Sequence, residues 1–122
     1  MMSDHDWQDA LRERYPWASQ CSFAVGDGWR ELVERTFARI DALKSSRDPE
    51  DPDLALRAYD VKEKYASLRI DVVPYDEEAE AIVEAAENES ETICDVCGAP
   101  GSVRGQHWIS TRCDIHAPKQ SS

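Results

Sequence analysis

The chain has 122 residues, 41% of them hydrophobic, which suits one domain with a modest core. Its 25 acidic and 14 basic residues give a formal net charge of −11. A charge of this size repels nucleic acid at long range and favours a basic partner. The same charge also fits simple solubility. No apolar run approaches the roughly 18 residues of a membrane span. The N-terminus also lacks secretory-signal features, so we expect a soluble cytoplasmic protein.

Two helices are predicted in the first half of the chain. Apolar residues recur at helical spacing over residues 4–15, an element that Pro16 ends. A loop through the Cys21 region then leads to a clearer amphipathic helix over residues 28–44, with Asp27 placed as its N-cap. The apolar positions of this second helix are Leu32, Val33, Phe37, Ile40 and Leu43.

The period of the apolar pattern changes from helical to alternating after a polar connector at residues 45–53. The alternation predicts a β-hairpin with strands at residues 56–63 and 67–73, ended by Pro74. One helix through residues 54–66 is the alternative, because alanine, leucine, arginine, lysine and glutamate all favour helix.

An acidic helix is predicted over residues 76–88, and residues 76–91 contain eight acids and no base. The helix dipole favours the first acids, whereas the later ones repel each other at four-residue spacing. Such a face is either simply solvated or a docking surface for a basic protein partner. The candidate partner contacts are Asp76, Glu77, Glu80, Glu84 and Glu87.

The C-terminal segment contains the pattern C-x2-C-x15-C-x2-H, which predicts one structural Zn²⁺ site. Its ligands are Cys94, Cys97, Cys113 and His116. Two residues between paired ligands allow a tight knuckle that directs both side chains at one ion, and the 15-residue insert fits a short hairpin. A pair of disulfides is a weaker interpretation, because it would need the distant Cys21 and an oxidising compartment.

No enzyme is predicted. Four protein ligands leave the metal no open position for water, and the sequence has no H-E-x-x-H, P-loop or G-x-S-x-G motif. His5 and His107 lie outside the ligand pattern, and Cys21 is interpreted as a buried apolar residue.

A nucleic-acid-binding zinc ribbon is the second hypothesis, since basic residues of the hairpin are interleaved with Tyr59 and Tyr65 and the zinc segment adds two arginines. These basic residues are Arg57, Lys62, Lys64, Arg69, Arg104 and Arg112. The competing interpretation, which we favour, is that the basic hairpin packs against the acidic helix within the chain.

Three segments carry a resemblance to small, poorly characterised proteins of phages, prophages and bacteria. They are the G-D-G-W turn at residues 26–29, the V-K-E-K-Y-A-S-L-R segment at 61–69 and the C-D-V-C-G-A-P-G knuckle at 94–101, followed by the C-x-x-H pair. The resemblance spans residues 26–117 and departs at Ala66, where glycine is expected. It implies the fold and the zinc, and its phage setting suggests an inhibitor of a host defence system, such as an anti-CRISPR protein.

Together these observations predict a small single α+β domain with N-terminal helices, a β-hairpin, an acidic helix and a C-terminal zinc knuckle. Residues 1–92 form the predicted core, and residues 93–122 form a zinc knuckle packed on it. The leading functional hypothesis is a non-catalytic protein-binding factor that covers the nucleic-acid-binding surface of a host protein with its acidic helix. An immunity protein for a bacterial toxin is a third hypothesis.

Overall fold

The computed structural model describes residues 6–106 and 108–117, and in this part of the chain it confirms the α+β class. Its α-helices are α1 (Asp6–Arg14), α2 (Arg30–Arg47) and α3 (Glu77–Ser90). Its strands are β1 (Ser22–Ala24), β2 (Arg57–Lys64), β3 (Ser67–Val73), β4 (Ser102–Arg104) and β5 (Ser110–Arg112). No helix within the described ranges combines the length and the apolar character that crossing a membrane requires.

The predicted hairpin is present, so the single-helix alternative for residues 54–66 is wrong. Strands β2 and β3 pair antiparallel and are joined by Tyr65 and Ala66, whose φ angles are +52° and +71°. Two successive positive φ angles are what a type I′ hairpin turn requires, and glycine usually supplies at least one of them. The glycine-type turn therefore forms even though Ala66 stands where glycine is expected.

Strand β1 was not predicted, because the sequence reasoning treated this region as a loop. It pairs parallel to β2, with Phe23 opposite Val61, and so makes β2 the centre of a three-stranded sheet ordered β1-β2-β3. Cys21, just before β1, is 2% exposed, as the sequence suggested. Burial raises the pKa of its thiol to about 12, so this cysteine stays protonated and unreactive.

The N-terminus of α2 differs from the prediction. Asp27 lies in a short 3₁₀ turn (Asp27–Trp29) before the helix, whose N-cap residue is Trp29 and has no capping side chain. The carboxylate of Asp27 accepts a hydrogen bond of 2.8 Å from Trp7 Nε1, which ties α1 to this turn. Asp27 thus joins two helices and is not the cap of α2.

Helix α3 forms within two residues of its predicted range. The side chain of Asp76 caps it by accepting a 2.9 Å hydrogen bond from the Ala79 amide. Its apolar face, which includes Val83 and Ala86, is buried against β3 and α2. The core thus lies between α3, the sheet and the helices α1 and α2. The boundary proposed at residue 92 stays a prediction.

Candidate metal centre

The four predicted ligands converge on one point. The donor atoms of Cys94, Cys97, Cys113 and His116 all lie within 4.8 Å of one another. Cys97 Sγ lies 3.7 Å from Cys113 Sγ, and His116 Nδ1 lies 3.7 Å from Cys94 Sγ and 3.3 Å from Cys113 Sγ. A tetrahedron with metal–sulfur bonds of about 2.3 Å and a metal–nitrogen bond of about 2.0 Å has edges of about 3.5–3.8 Å. The cluster therefore has the size of a single four-coordinate metal site.

The backbone around the cluster favours thiolate at Cys94. Burial of this side chain opposes ionisation, but the backbone N–H groups of Cys113, Cys97 and Val96 outweigh burial and lower the pKa of Cys94 to about 6. At Cys97 the Ala99 amide favours thiolate, but partial desolvation and the neighbouring Cys113 and Cys94 thiols raise its pKa. Such N–H groups directed at sulfur also stabilise a metal-bound thiolate.

The two halves of the site are joined by the predicted short hairpin. Strands β4 and β5 pair antiparallel between the first two ligands and the last two. Each ligand pair opens with Cys-Asp followed by a β-branched residue. Each of these aspartates forms an ion pair with an arginine of the hairpin. Asp95 lies 2.5 Å from Arg112, and Asp114 lies 2.7 Å from Arg104. Sequence reasoning missed these ion pairs, although the repeated Cys-Asp was visible. They link each knuckle to a strand of the hairpin, and the Asp95 pair is the less exposed of the two.

The metal segment, here defined as residues 93–117, packs directly on the turn before α2. The Gly28 amide donates a 3.0 Å hydrogen bond to the Asp95 carbonyl, and Trp29 Nε1 donates a 2.9 Å bond to the Ile93 carbonyl. A Cβ atom on Gly28 would lie 2.1 Å from the carbonyl oxygen of Cys94. The G-D-G-W turn therefore lacks side-chain bulk at residue 28 because the metal segment occupies that space.

A second contact joins the metal segment to the β2–β3 turn. Thr111, which is fully buried, donates a 2.6 Å hydrogen bond from Oγ1 to the carbonyl of Ala66. The segment thus contacts the core at two places that are distant in sequence. His5 and His107 lie outside the described residues.

Two of the predicted partner-contact acids are engaged within the chain. Asp76 caps α3 and forms an ion pair with Arg47 of α2, and these contacts with Arg47 and the Ala79 amide lower its pKa. Glu87 lies 3.8 Å from Arg69 of β3, which is the packing of basic hairpin against acidic helix that the sequence suggested. The acids of α3 are therefore partly compensated by bases from other elements.

The other three predicted contacts remain available. Glu77, Glu80 and Glu84 are exposed and form no ion pair with any described residue. Glu89 is not free in this way, because it pairs with Arg35 at 2.6 Å, and the hydrogen bond from Arg35 lowers its pKa. The uncompensated charge of α3 is thus concentrated on one exposed strip.

Most of the basic residues proposed for nucleic-acid binding are already paired with carboxylates. The paired ones are Lys62, Arg69, Arg104 and Arg112. Within the described ranges Arg57 and Lys64 form no ion pair. Two free cations on one hairpin are a small electrostatic footprint for a nucleic-acid site.

No family model, curated protein or solved structure matches this chain. The resemblance to phage and bacterial proteins stays a prediction from the sequence motifs.

Proposed function

We propose that this chain is a non-catalytic protein-binding factor whose fold is completed by one structural Zn²⁺ ion. The observation behind the metal is the convergence of three thiols and one imidazole to tetrahedral size. Thiolate and imidazole are the ligands that zinc prefers, and four of them close its coordination shell. Bound there, the ion supplies folding free energy and holds the two knuckles together.

Native mass spectrometry before and after chelation tests the metal. We expect one zinc per chain in the wild type, and loss of tight binding in Cys113→Ser. Cys21→Ala is the matched control, because it also removes a thiol but lies outside the cluster. A Cys113→Ser protein that keeps one zinc with unchanged affinity would contradict the ligand assignment.

The binding surface of this proposal is the acidic strip, defined as Glu77, Glu80 and Glu84. All three carboxylates are exposed and unpaired among the described residues, whereas most bases of the fold are paired. A strip of uncompensated acids on a rigid helix attracts a basic surface, and the commonest such surfaces bind nucleic acid. Together with the phage-like motifs, this supports an inhibitor that covers a nucleic-acid-binding site of a host defence protein, in the manner of an anti-CRISPR protein.

Charge reversal tests the strip. The double variant Glu80→Lys/Glu84→Lys should lose the partners that the wild type captures from a bacterial lysate. Glu13→Lys/Glu50→Lys is the matched control, because it changes the net charge equally at exposed residues outside α3. A gel shift then asks whether the captured partner loses its DNA or RNA in the presence of this protein.

Salt screens charges at the edge of an interface, so an electrostatic surface predicts that partner capture weakens between 50 and 500 mM salt. Partner capture that does not change with salt, or with charge reversal in α3, would contradict this surface. The nucleic-acid hypothesis predicts instead that the protein alone retards DNA or RNA at micromolar concentration and low salt.

A further inference from the structure

A second surface lies at the opposite edge of the sheet from α3. A groove of about 380 Å³ separates the end of β1 from the metal segment. Its walls include Gln8 of α1, Glu63 of β2, Trp108 of the β4–β5 loop and the ion-paired Arg112. The acidic strip is on α3, beyond β3, so the two surfaces can be altered separately.

Gln8 places a polar group in the groove. This residue is only 5% exposed, and its carboxamide makes no hydrogen bond to any described residue. Its amide atoms are not among the fully buried ones, so they are accessible from the groove. The Gln8 amide offers both a donor and an acceptor to a ligand in the groove.

Trp108 and Glu63 indicate the charge of the occupant. The Trp108 side chain is 82% exposed, a large apolar surface to leave in water. Glu63 forms no ion pair within the described ranges, while Arg112 is neutralised by Asp95. An aromatic face beside an unpaired carboxylate fits a cationic group, which an indole ring attracts through its negative face.

The edge of β1 indicates the form of the occupant. In the described sheet β1 pairs only with β2, so its outer edge carries unpaired backbone groups. Ala24 at the end of this strand lines the groove, as do Val25 and Gly26, which follow it. An extended peptide can add to such an edge through main-chain hydrogen bonds, with side chains entering adjacent pockets.

We propose that this groove binds an extended peptide segment bearing one lysine or arginine side chain. The peptide main chain lies along the outer edge of β1 and bonds the Gln8 carboxamide, and its cationic group lies between Trp108 and Glu63. This site goes beyond the proposed function, because it uses none of the acidic strip.

The experiment selects peptides from a randomised heptapeptide display library on the zinc-loaded protein and measures the affinity of synthetic copies by fluorescence anisotropy. We expect the selected peptides to share one lysine or arginine, whose replacement by glutamine weakens binding at least tenfold. Trp108→Ala should weaken binding about tenfold, and Tyr75→Ala, an equally exposed aromatic outside the groove, should not.

The Gln8 and Glu63 variants separate binding from folding. Gln8→Met removes the groove-facing amide at similar volume, so the peptide should bind more weakly while the thermal stability of the free protein stays close to that of the wild type. Glu63→Gln should weaken binding several-fold, whereas Glu84→Gln on the acidic strip should leave peptide binding unchanged.

A library that yields no binder overturns the proposal. So do peptides without a shared cation, or peptides whose affinity is the same in Trp108→Ala. Peptides that lose affinity only in the Glu84 variant would overturn the groove and favour the acidic strip. Partner capture that fails while groove peptides bind would contradict the proposed function alone.

Discussion

Gly28→Ala tests whether the metal segment is held against the core at the turn before α2. The new methyl group would lie 2.1 Å from the Cys94 carbonyl oxygen and 2.5 Å from the Asp95 carbonyl carbon. Both are backbone atoms next to a metal knuckle, so they cannot rotate away as a side chain would. The metal segment must therefore move away from α2.

The magnitude follows from the contacts that this movement breaks. Two hydrogen bonds are lost, from the Gly28 amide and from Trp29 Nε1, each worth about 1 kcal/mol. Overpacking adds about 1–3 kcal/mol. Alanine also lowers the conformational entropy of the unfolded chain, which stabilises the folded protein by only about 0.4–1 kcal/mol. We expect a net loss of about 2–5 kcal/mol in the free energy of unfolding.

Urea unfolding of the zinc-loaded protein, followed by tryptophan fluorescence, measures this loss. In thermal unfolding, an entropy of about 2.1 cal/mol/K per residue gives an expected fall in Tm of about 8–20 °C. Ala38→Ser is the control, because it adds one heavy atom to the exposed side of α2 and should change stability by less than about 0.5 kcal/mol.

The metal content of Gly28→Ala separates loss of docking from loss of the site. The knuckles are closed by their own bonds, Gly98 amide to Cys94 carbonyl and His116 amide to Cys113 carbonyl, so one zinc should still bind. A Gly28→Ala protein as stable as the wild type within 1 kcal/mol would refute the packing argument.

Three further substitutions test other contacts. Asp76→Ala should cost about 1 kcal/mol by removing the α3 cap, whereas Asp76→Asn keeps the cap. Because Arg47 lowers the pKa of Asp76 in the folded protein, urea unfolding should show the whole loss of stability in Asp76→Ala at neutral pH. The loss should become smaller as the pH falls below the ordinary aspartate range. Thr111→Val should lower the free energy of unfolding by about 1–3 kcal/mol, because it leaves the Ala66 carbonyl unpaired. Thr111→Ser keeps the hydroxyl and should retain most of this stability. Tyr65→Asn should raise stability by about 0.5 kcal/mol in thermal unfolding, because asparagine tolerates the positive φ there.

The convergence of the four candidate ligands was predictable because the spacing within each pair is local. A knuckle brings Cys94 and Cys97 together within one turn of chain, so spacing alone identifies the pair. Helix α3 was predictable for a similar reason, since Asp76 caps it from the adjacent position and its apolar face repeats every three to four residues.

Strand β1 was not predictable because nothing local specifies it. Three residues, Ser22–Ala24, are too few for an alternating pattern, and their partner strand begins more than thirty residues later. Asp27 was misassigned for a related reason. An aspartate before a helix fits an N-cap, but the Trp7 indole that binds it belongs to another helix and is invisible to a local pattern.

The charge balance of α3 shows the same limit. Its sequence has no base, which suggested an uncompensated face. The pair with Arg69 on β3 agrees with the expected packing of the hairpin on this helix, whereas the pairs with Arg35 and Arg47 on α2 were not expected and form only in the folded chain. What remained uncompensated, the strip of Glu77, Glu80 and Glu84, could be distinguished from the other acids only once these pairs were known.

The bond between Trp29 and Ile93 also sets an order of events during synthesis. Trp29 is made first, yet its indole has no partner until the metal segment follows some sixty residues later. At about 5–20 residues per second the ribosome needs roughly 4–17 s to proceed from Trp29 to His116. During that interval the nascent core has an uncovered tryptophan, which stays uncovered until the metal segment packs on the turn before α2.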